Sequence, residues 1–187
     1  MAESLHYKPV KLSETTITEL MIPSYSNFGG KIHGGILLSL MDKVAYVCAA
    51  KHAGNYCVTA SIDTVDFLAP IEVGELVSLM ASVNYVGKTS LVVGIRVVSE
   101  NVKTNSVNHT NTSYFTMVAK DENNVPTQVP GLILESTNEV RRFVEAIRRK
   151  ELRQTYRQEV EQIKAPMNYE KYAHLLTGER CKMAIDI

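Results

Sequence analysis

A charged residue stands where the chain is otherwise built to be buried. From residue 34 to about 52 the sequence is apolar almost all round, through Ile36, Leu37, Leu38, Leu40, Met41, Val44, Ala45, Val47, Cys48, Ala49 and Ala50. That is the composition of a helix packed on nearly every side. Asp42 lies in its middle, where an unpaired carboxylate is costly to desolvate. Helical spacing sets Ser39, Asp42, Lys43 and Tyr46 along one stripe, so the charge lines a cavity or an interface while the other sides pack. Two readings of Asp42 stand at this point: an ion pair with Lys43 or a neighbouring strand, or an acid kept for chemistry.

The pair Gly34-Gly35 opens the same segment. The first N–H groups of a helix have no partner within it and sit at its positive end, where they can polarise a carbonyl oxygen. The same pair also suits a tight loop-to-helix turn. Upstream, residues 23–31 gather serines, Asn27 and Gly29-Gly30, an irregular loop of the kind that often carries function.

These groups need a frame. Residues 14–22 are rich in β-branched side chains and end at Pro23, which reads as a strand. The helix that follows spans about 27 Å at the helical rise, so something must wrap it. Four strand-like runs supply the wrapper, at residues 56–67, 76–86, 90–100 and 110–119. In the third, Leu91, Val93, Ile95 and Val97 alternate with a second face. Short links between successive strands predict an antiparallel sheet curled around one central buried helix, an α+β architecture. After Pro126 and Pro130 the composition shifts, and Ser136 with Glu139 three residues on predicts the start of a charged C-terminal helix to about Ile163. Its apolar residues, Val140, Phe143, Val144 and Ile147, then Leu152, Tyr156, Val160 and Ile163, form a narrow stripe suited to packing across a subunit surface. The division expected is a core domain at 8–131, the charged helix at 136–164 and an unassigned tail at 165–187.

Composition excludes several functions. The chain has 187 residues, 45% of them hydrophobic, enough for one real core. Twenty basic and twenty acidic residues cancel, so no strong positive field draws it to nucleic acid. The tail arginines Arg141, Arg142, Arg148, Arg149, Arg153 and Arg157 are interleaved with glutamates, as on a solvated helix face. Neither a signal-peptide run nor a segment long enough to cross a bilayer is read, which predicts a cytoplasmic protein without membrane insertion. Cys48, Cys57 and Cys181 are odd in number and widely spaced, which suits core thiols in a reducing compartment. The five histidines, His33 and His52 among them, lack metal-ligand spacing, so no metal is expected.

Several ordered blocks carry a resemblance. Asn27-Phe28-Gly29-Gly30-Lys31-Ile32-His33-Gly34-Gly35, Leu40-Met41-Asp42, Val58-Thr59-Ala60, Asp66-Phe67-Leu68-Ala69-Pro70, Gly74-Glu75 and Gly87-Lys88-Thr89-Ser90 resemble the acyl-CoA thioesterase hotdog family, the YciA-like enzymes and the cytosolic long-chain acyl-CoA hydrolases. The likeness runs from about Glu14 to Pro130. It implies a hotdog fold and hydrolysis of fatty acyl-CoA, with coenzyme A entering as part of the substrate and no separate cofactor. It also implies that Asn27 and Asp42 act together from opposite protomers, Asp42 as general base or nucleophile and Asn27 orienting the water or the carbonyl. The N–H groups of Gly34 and Gly35 would then hold the thioester oxygen. Thr59, Ser61, Lys88, Thr89 and Ser90 are implied contacts to coenzyme A. The homodimer is the implied minimal active unit, with a trimer of dimers above it, and the acyl tunnel would run between subunits near Phe28 and Tyr46. Two rivals remain at this stage: a hotdog hydroxyacyl dehydratase using His33, and a non-catalytic acyl-CoA or nucleotide sensor.

Overall fold

The computed structural model describes residues 6–164, 172–182 and 184. It separates into two compact units, Met1–Ala146 and Ile147–Ile187. In the first unit the elements run β1 (Tyr7–Pro9), β2 (Thr15–Leu20), α1 (Gly34–Ala53), β3 (Tyr56–Ile62), β4 (Leu76–Val86), β5 (Ser90–Asn101), β6 (Ser106–Lys120) and β7 (Gly131–Ile133), and α2 (Thr137–Lys164) begins in it. Five strands form one antiparallel sheet in the order β2-β4-β5-β6-β3, and β1 pairs with β7 in a separate parallel ribbon.

The α+β arrangement of a curled antiparallel sheet on one central helix matches the sequence reading, and its cause is alternation. On β5, Leu91, Val93, Ile95 and Val97 are all buried; so are Val77, Leu79, Ala81 and Val83 on β4, and Phe115, Met117 and Ala119 on β6. These residues meet Leu37, Leu40, Met41, Val44, Ala45, Cys48 and Ala49 of α1 in one cluster. Each large aliphatic side chain buried this way contributes roughly 1.5–3 kcal/mol.

Several boundaries differ from expectation. The run expected at 56–67 leaves the sheet after Ile62, following a bulge between Thr59 and Ser61. Beyond it, Phe67 turns onto Gly34, where an added Cβ would lie 3.2 Å from the ring. β6 begins at Ser106 rather than 110, because residues 106–109 pair with Val98–Asn101 of β5; all four are exposed, so no alternation marks them in the sequence. The helix start at Ser136 is as read: its Oγ accepts from Glu139 N–H at 3.3 Å, while the Glu139 carboxylate takes the N–H of Glu135 rather than that of Ser136. Of the tail left unassigned, residues 165–171, 183 and 185–187 lie outside the described residues; Ala173–Leu176 form a single 3-10 turn.

His52 joins the end of α1 to the β1–β7 ribbon. It is fully buried; its Nε2–H donates to the Pro130 carbonyl at 3.0 Å, its own carbonyl accepts from Lys8 Nζ at 2.8 Å, and its Nδ1 has no partner among the described residues. Burial pushes the imidazole below its ordinary 6.5, against a smaller upward pull from the Pro130 hydrogen bond. Well above pH 6.5 the ring is neutral in both the folded and unfolded chain. Below it the unfolded chain takes the proton first, so stability falls with falling pH until the folded ring also protonates. The urea midpoint is therefore expected to drop between pH 7.5 and 5.5, and His52→Gln, which keeps a donor for Pro130, is expected to flatten that slope. Equal slopes in the two proteins would show that His52 does not set it.

Candidate active site

The loop before α1 is a tight reverse turn organised by Asn27. Asn27 N–H donates to the Lys31 carbonyl at 2.7 Å, and Gly30 N–H donates to the Asn27 carbonyl at 3.0 Å. The side-chain Oδ1 accepts from Gly29 N–H at 2.9 Å and Lys31 N–H at 3.2 Å. Gly30 takes φ of 76°, a left-handed conformation that glycine adopts without a steric cost. A Lys31–Glu72 ion pair and a backbone bridge between the same two residues pin the loop to the chain before β4. Both acceptor positions of Oδ1 are thus used for folding, and Nδ2 has no acceptor among the described residues. Asn27 therefore offers the site a donor. Phe28, at the tip of the turn, is 114% exposed.

At the start of α1, His33 is the N-cap, and its Nδ1 accepts from Gly35 N–H at 2.9 Å. Its carbonyl accepts from Ile36 and Leu37 N–H at 2.9 and 3.4 Å. The expectation of two unpaired glycine N–H groups is corrected here: Gly35 is engaged, and Gly34 N–H alone has no acceptor among the described residues.

Further along, α1 is not buried on every side. Ser39, Asp42, Lys43, Tyr46 and Val47 are exposed in the protomer, on the stripe read from helical spacing. The expectation that Asp42 is desolvated by its own chain is therefore corrected, and it makes no ion pair with Lys43 among the described residues. Instead its Oδ1 accepts from the Thr59 hydroxyl at 2.6 Å, which leaves Oδ2 open. Thr59 sits where it does because β3 pairs Thr59 with Met117 on the face toward α1, and its hydroxyl also lies 3.4 Å from Met117 Sδ. The bulge immediately after it sets Ser61 opposite Thr116 on the other face.

Of the sequence-predicted residues, the protomer brings together Asp42 and Thr59, but not as read: the Thr59 hydroxyl is directed to the acid. Asn27 makes no hydrogen bond to Asp42 among the described residues. Lys88, Thr89 and Ser90 form the β4–β5 turn, closed by Gly87 N–H to the Ser90 carbonyl at 2.7 Å. Ser90 is level with Val118, itself level with Val58, so the turn is two strand spacings from β3, roughly 10 Å. Lys88 borders a separate cleft of about 430 Å³ with Val86, Val129, Leu132 and Phe143. A larger cleft of about 530 Å³ lies on the outer face of the sheet. Neither cleft includes Asn27, Asp42 or Thr59.

The strand that carries Thr59 is one of the two edges of the sheet, β2 being the other. Beside it the exposed stripe of α1 continues into β3 through a Tyr46–Tyr56 ring pair with centroids 5.9 Å apart. Cysteine chemistry is disfavoured: burial pushes the thiol of Cys48 up to about 12 and that of Cys57 to about 11, so neither is a thiolate at neutral pH. Among the described residues no cluster suited to a metal ion is found, and no helix is long and apolar enough to cross a membrane.

Residues 29–105 match the thioesterase superfamily profile. The chain is 49% identical over 134 residues to the protein VdlD of Helicobacter pylori, covering 72% of this chain and 76% of that one. Among solved structures, it resembles an apo-hexameric acyl-CoA thioesterase with a TM-score of 0.79 and 39% identity, covering 81% of this chain and 97% of the other. It also resembles the acyl-CoA hydrolase of Staphylococcus aureus in complex with butyryl coenzyme A, coenzyme A and coenzyme A disulfide, with a TM-score of 0.76 and 34% identity over 83% of this chain and 95% of the other. Alanine variants of that enzyme at an asparagine, an aspartate and a threonine match with TM-scores of 0.79, 0.77 and 0.73.

Proposed function

The chain belongs to the thioesterase superfamily as an acyl-CoA hydrolase of hotdog fold, and on that footing we propose that it hydrolyses fatty acyl-CoA at sites shared between two protomers, with Asp42 and the partner's copy of Asn27 as the reacting pair. The observation that carries this reading is the Thr59–Asp42 hydrogen bond, which fixes one carboxylate oxygen and leaves the other open on an exposed stripe. The three residues replaced in the Staphylococcus aureus variants have the same separations in sequence as Asn27, Asp42 and Thr59.

Gly34 N–H receives the thioester oxygen at the positive end of α1, and the Asn27 amide N–H donates to the same oxygen or to the attacking water. In the general-base route, Asp42 Oδ2 takes a proton from that water as its oxygen bonds to the carbonyl carbon. Collapse of the tetrahedral intermediate breaks the C–S bond, and the proton passes to the leaving thiolate of coenzyme A. Thr59 acts through Asp42 and is a positioning residue. Ser61, Lys88, Thr89 and Ser90 are proposed to meet the coenzyme A moiety, with Lys88 facing phosphate.

A second copy is proposed because Asn27 makes no hydrogen bond to Asp42 among the described residues, and because β3 and the α1 stripe present an unpaired edge beside exposed Tyr46, Val47, Tyr56 and Ile62. Pairing edge to edge buries that surface symmetrically. Hexameric relatives support a trimer of dimers. The test is release of free thiol from acyl-CoAs of graded chain length by wild type and Thr59→Val. Loss of the hydroxyl is expected to lower kcat about tenfold with KM nearly unchanged, and Thr59→Ser to restore most of it. A wild type that binds these ligands without turnover would instead be a sensor.

A further inference from the structure

We propose that His33 is a positioning residue of the reaction, which decides how many backbone donors the start of α1 offers to the thioester and where they point. The inference rests on the reading above, in which Gly34 N–H receives the thioester oxygen.

Four N–H groups at the start of a helix lack partners inside it, here those of His33, Gly34, Gly35 and Ile36, and three of them are engaged through His33. The His33 ring takes Gly35 N–H, and the His33 carbonyl takes those of Ile36 and Leu37. His33 is itself anchored, because its own N–H donates to the Tyr25 carbonyl at 2.8 Å. Gly34 N–H is what remains. Accepting at Nδ1, the ring turns no N–H of its own toward the start of the helix, so the backbone supplies the donor there.

The fit is close on both sides. A Cβ at position 35 would lie 3.0 Å from Cε1 and Nδ1 of the His33 ring, and a Cβ at 34 would lie 3.2 Å from the Phe67 ring. The two glycines are therefore held between two rings, and the first peptide of α1 has little freedom to turn. Without the ring acceptor, Gly35 N–H is released next to Gly34 N–H. The two donors then compete for one oxygen, and the turn that aims them loses its restraint.

The experiment compares His33→Leu, which keeps apolar bulk but has no acceptor, with His33→Asn, whose short side-chain oxygen is a strong N-cap. Both are assayed for thiol release from one acyl-CoA, with oligomeric state and thermal midpoint measured alongside. The expected result is a kcat about tenfold lower in His33→Leu with KM within about twofold, and recovery of most of the loss in His33→Asn. A role in helix stability alone would lower the thermal midpoint and leave kcat at saturating substrate unchanged; that result, or equal loss in both variants, overturns the inference. If His33→Leu does not fold, His33→Ala, which also lacks the acceptor, takes its place beside His33→Asn, and a kcat unchanged in His33→Ala overturns the inference. Asp42→Asn, run in parallel, separates the two levels: full turnover there removes the underlying site, whereas loss there with an unaffected His33→Leu removes only the role of His33.

Discussion

Asp42→Asn is expected to lower kcat for acyl-CoA hydrolysis by about 10³-fold, with KM and oligomeric state unchanged. The substitution isolates one property. An amide oxygen can still accept from the Thr59 hydroxyl, so the bond that holds the side chain in place survives, while the group that takes the proton or attacks the carbonyl is gone. Because Asp42 is exposed in the protomer, the change is expected to alter protomer stability by no more than about 0.5 kcal/mol. Turnover above a tenth of wild type would remove Asp42 from the chemistry. A single turnover in ¹⁸O-labelled water separates the two routes open to it: label appears in the released acid when water attacks the thioester, and in Asp42 when the carboxylate attacks first and water cleaves the resulting anhydride at the aspartyl carbon.

Asn27→Asp is the second large effect, an expected loss of about 10²-fold in kcat. The aspartate still offers an oxygen to Gly29 and Lys31 N–H, so the turn keeps its shape, but the Nδ2 donor is lost and a negative charge replaces it near a developing oxyanion. Mixing provides the sharper measurement. When Asn27→Asp and Asp42→Asn chains are dissociated and reassociated together, a hybrid dimer carries one site with both lesions and one with neither. Random pairing should therefore restore about a quarter of wild-type activity from two nearly inactive parents. No recovery in verified hybrids would place both residues of each site on one chain.

How much was legible in the sequence depended on whether a feature was periodic, borrowed or tertiary. The core strands were periodic, as the alternation of Leu91, Val93, Ile95 and Val97 shows, and the stripe through Ser39, Asp42 and Tyr46 followed from helical geometry alone. Asn27 as a site residue came from resemblance, because an asparagine in a glycine-rich loop has many ordinary uses. The partners were tertiary. Nothing near Thr59 in sequence says that its hydroxyl faces Asp42, since that contact needs β3 paired to β6 and α1 laid across both. The β1–β7 ribbon was missed for a related reason: strands of three residues have no measurable period, and they pair across almost the whole core domain. The one local signal was Gly131, where a Cβ would fall 2.4 Å from the Tyr7 ring. His33 was weighed for metal and acid–base roles and not as a cap, because serine, threonine, aspartate and asparagine are the side chains that usually announce a helix start.

The bulge in β3 bears on how far association can go. A straight, regular border strand is a template on which further chains can add, and its usual fate in a concentrated cytosol-like solution is run-on fibre growth. Here the border residues between Thr59 and Ser61 are out of step with their neighbour, so only a short stretch from Tyr56 can pair in register with an incoming strand. A second copy paired there, as proposed, takes up that stretch and closes this border to a third, while the β2 border is unaffected. The irregularity beside Thr59 thus limits growth from this border, and a variant that deletes the extra residue, Ala60, is expected to form larger assemblies at high concentration, read by light scattering.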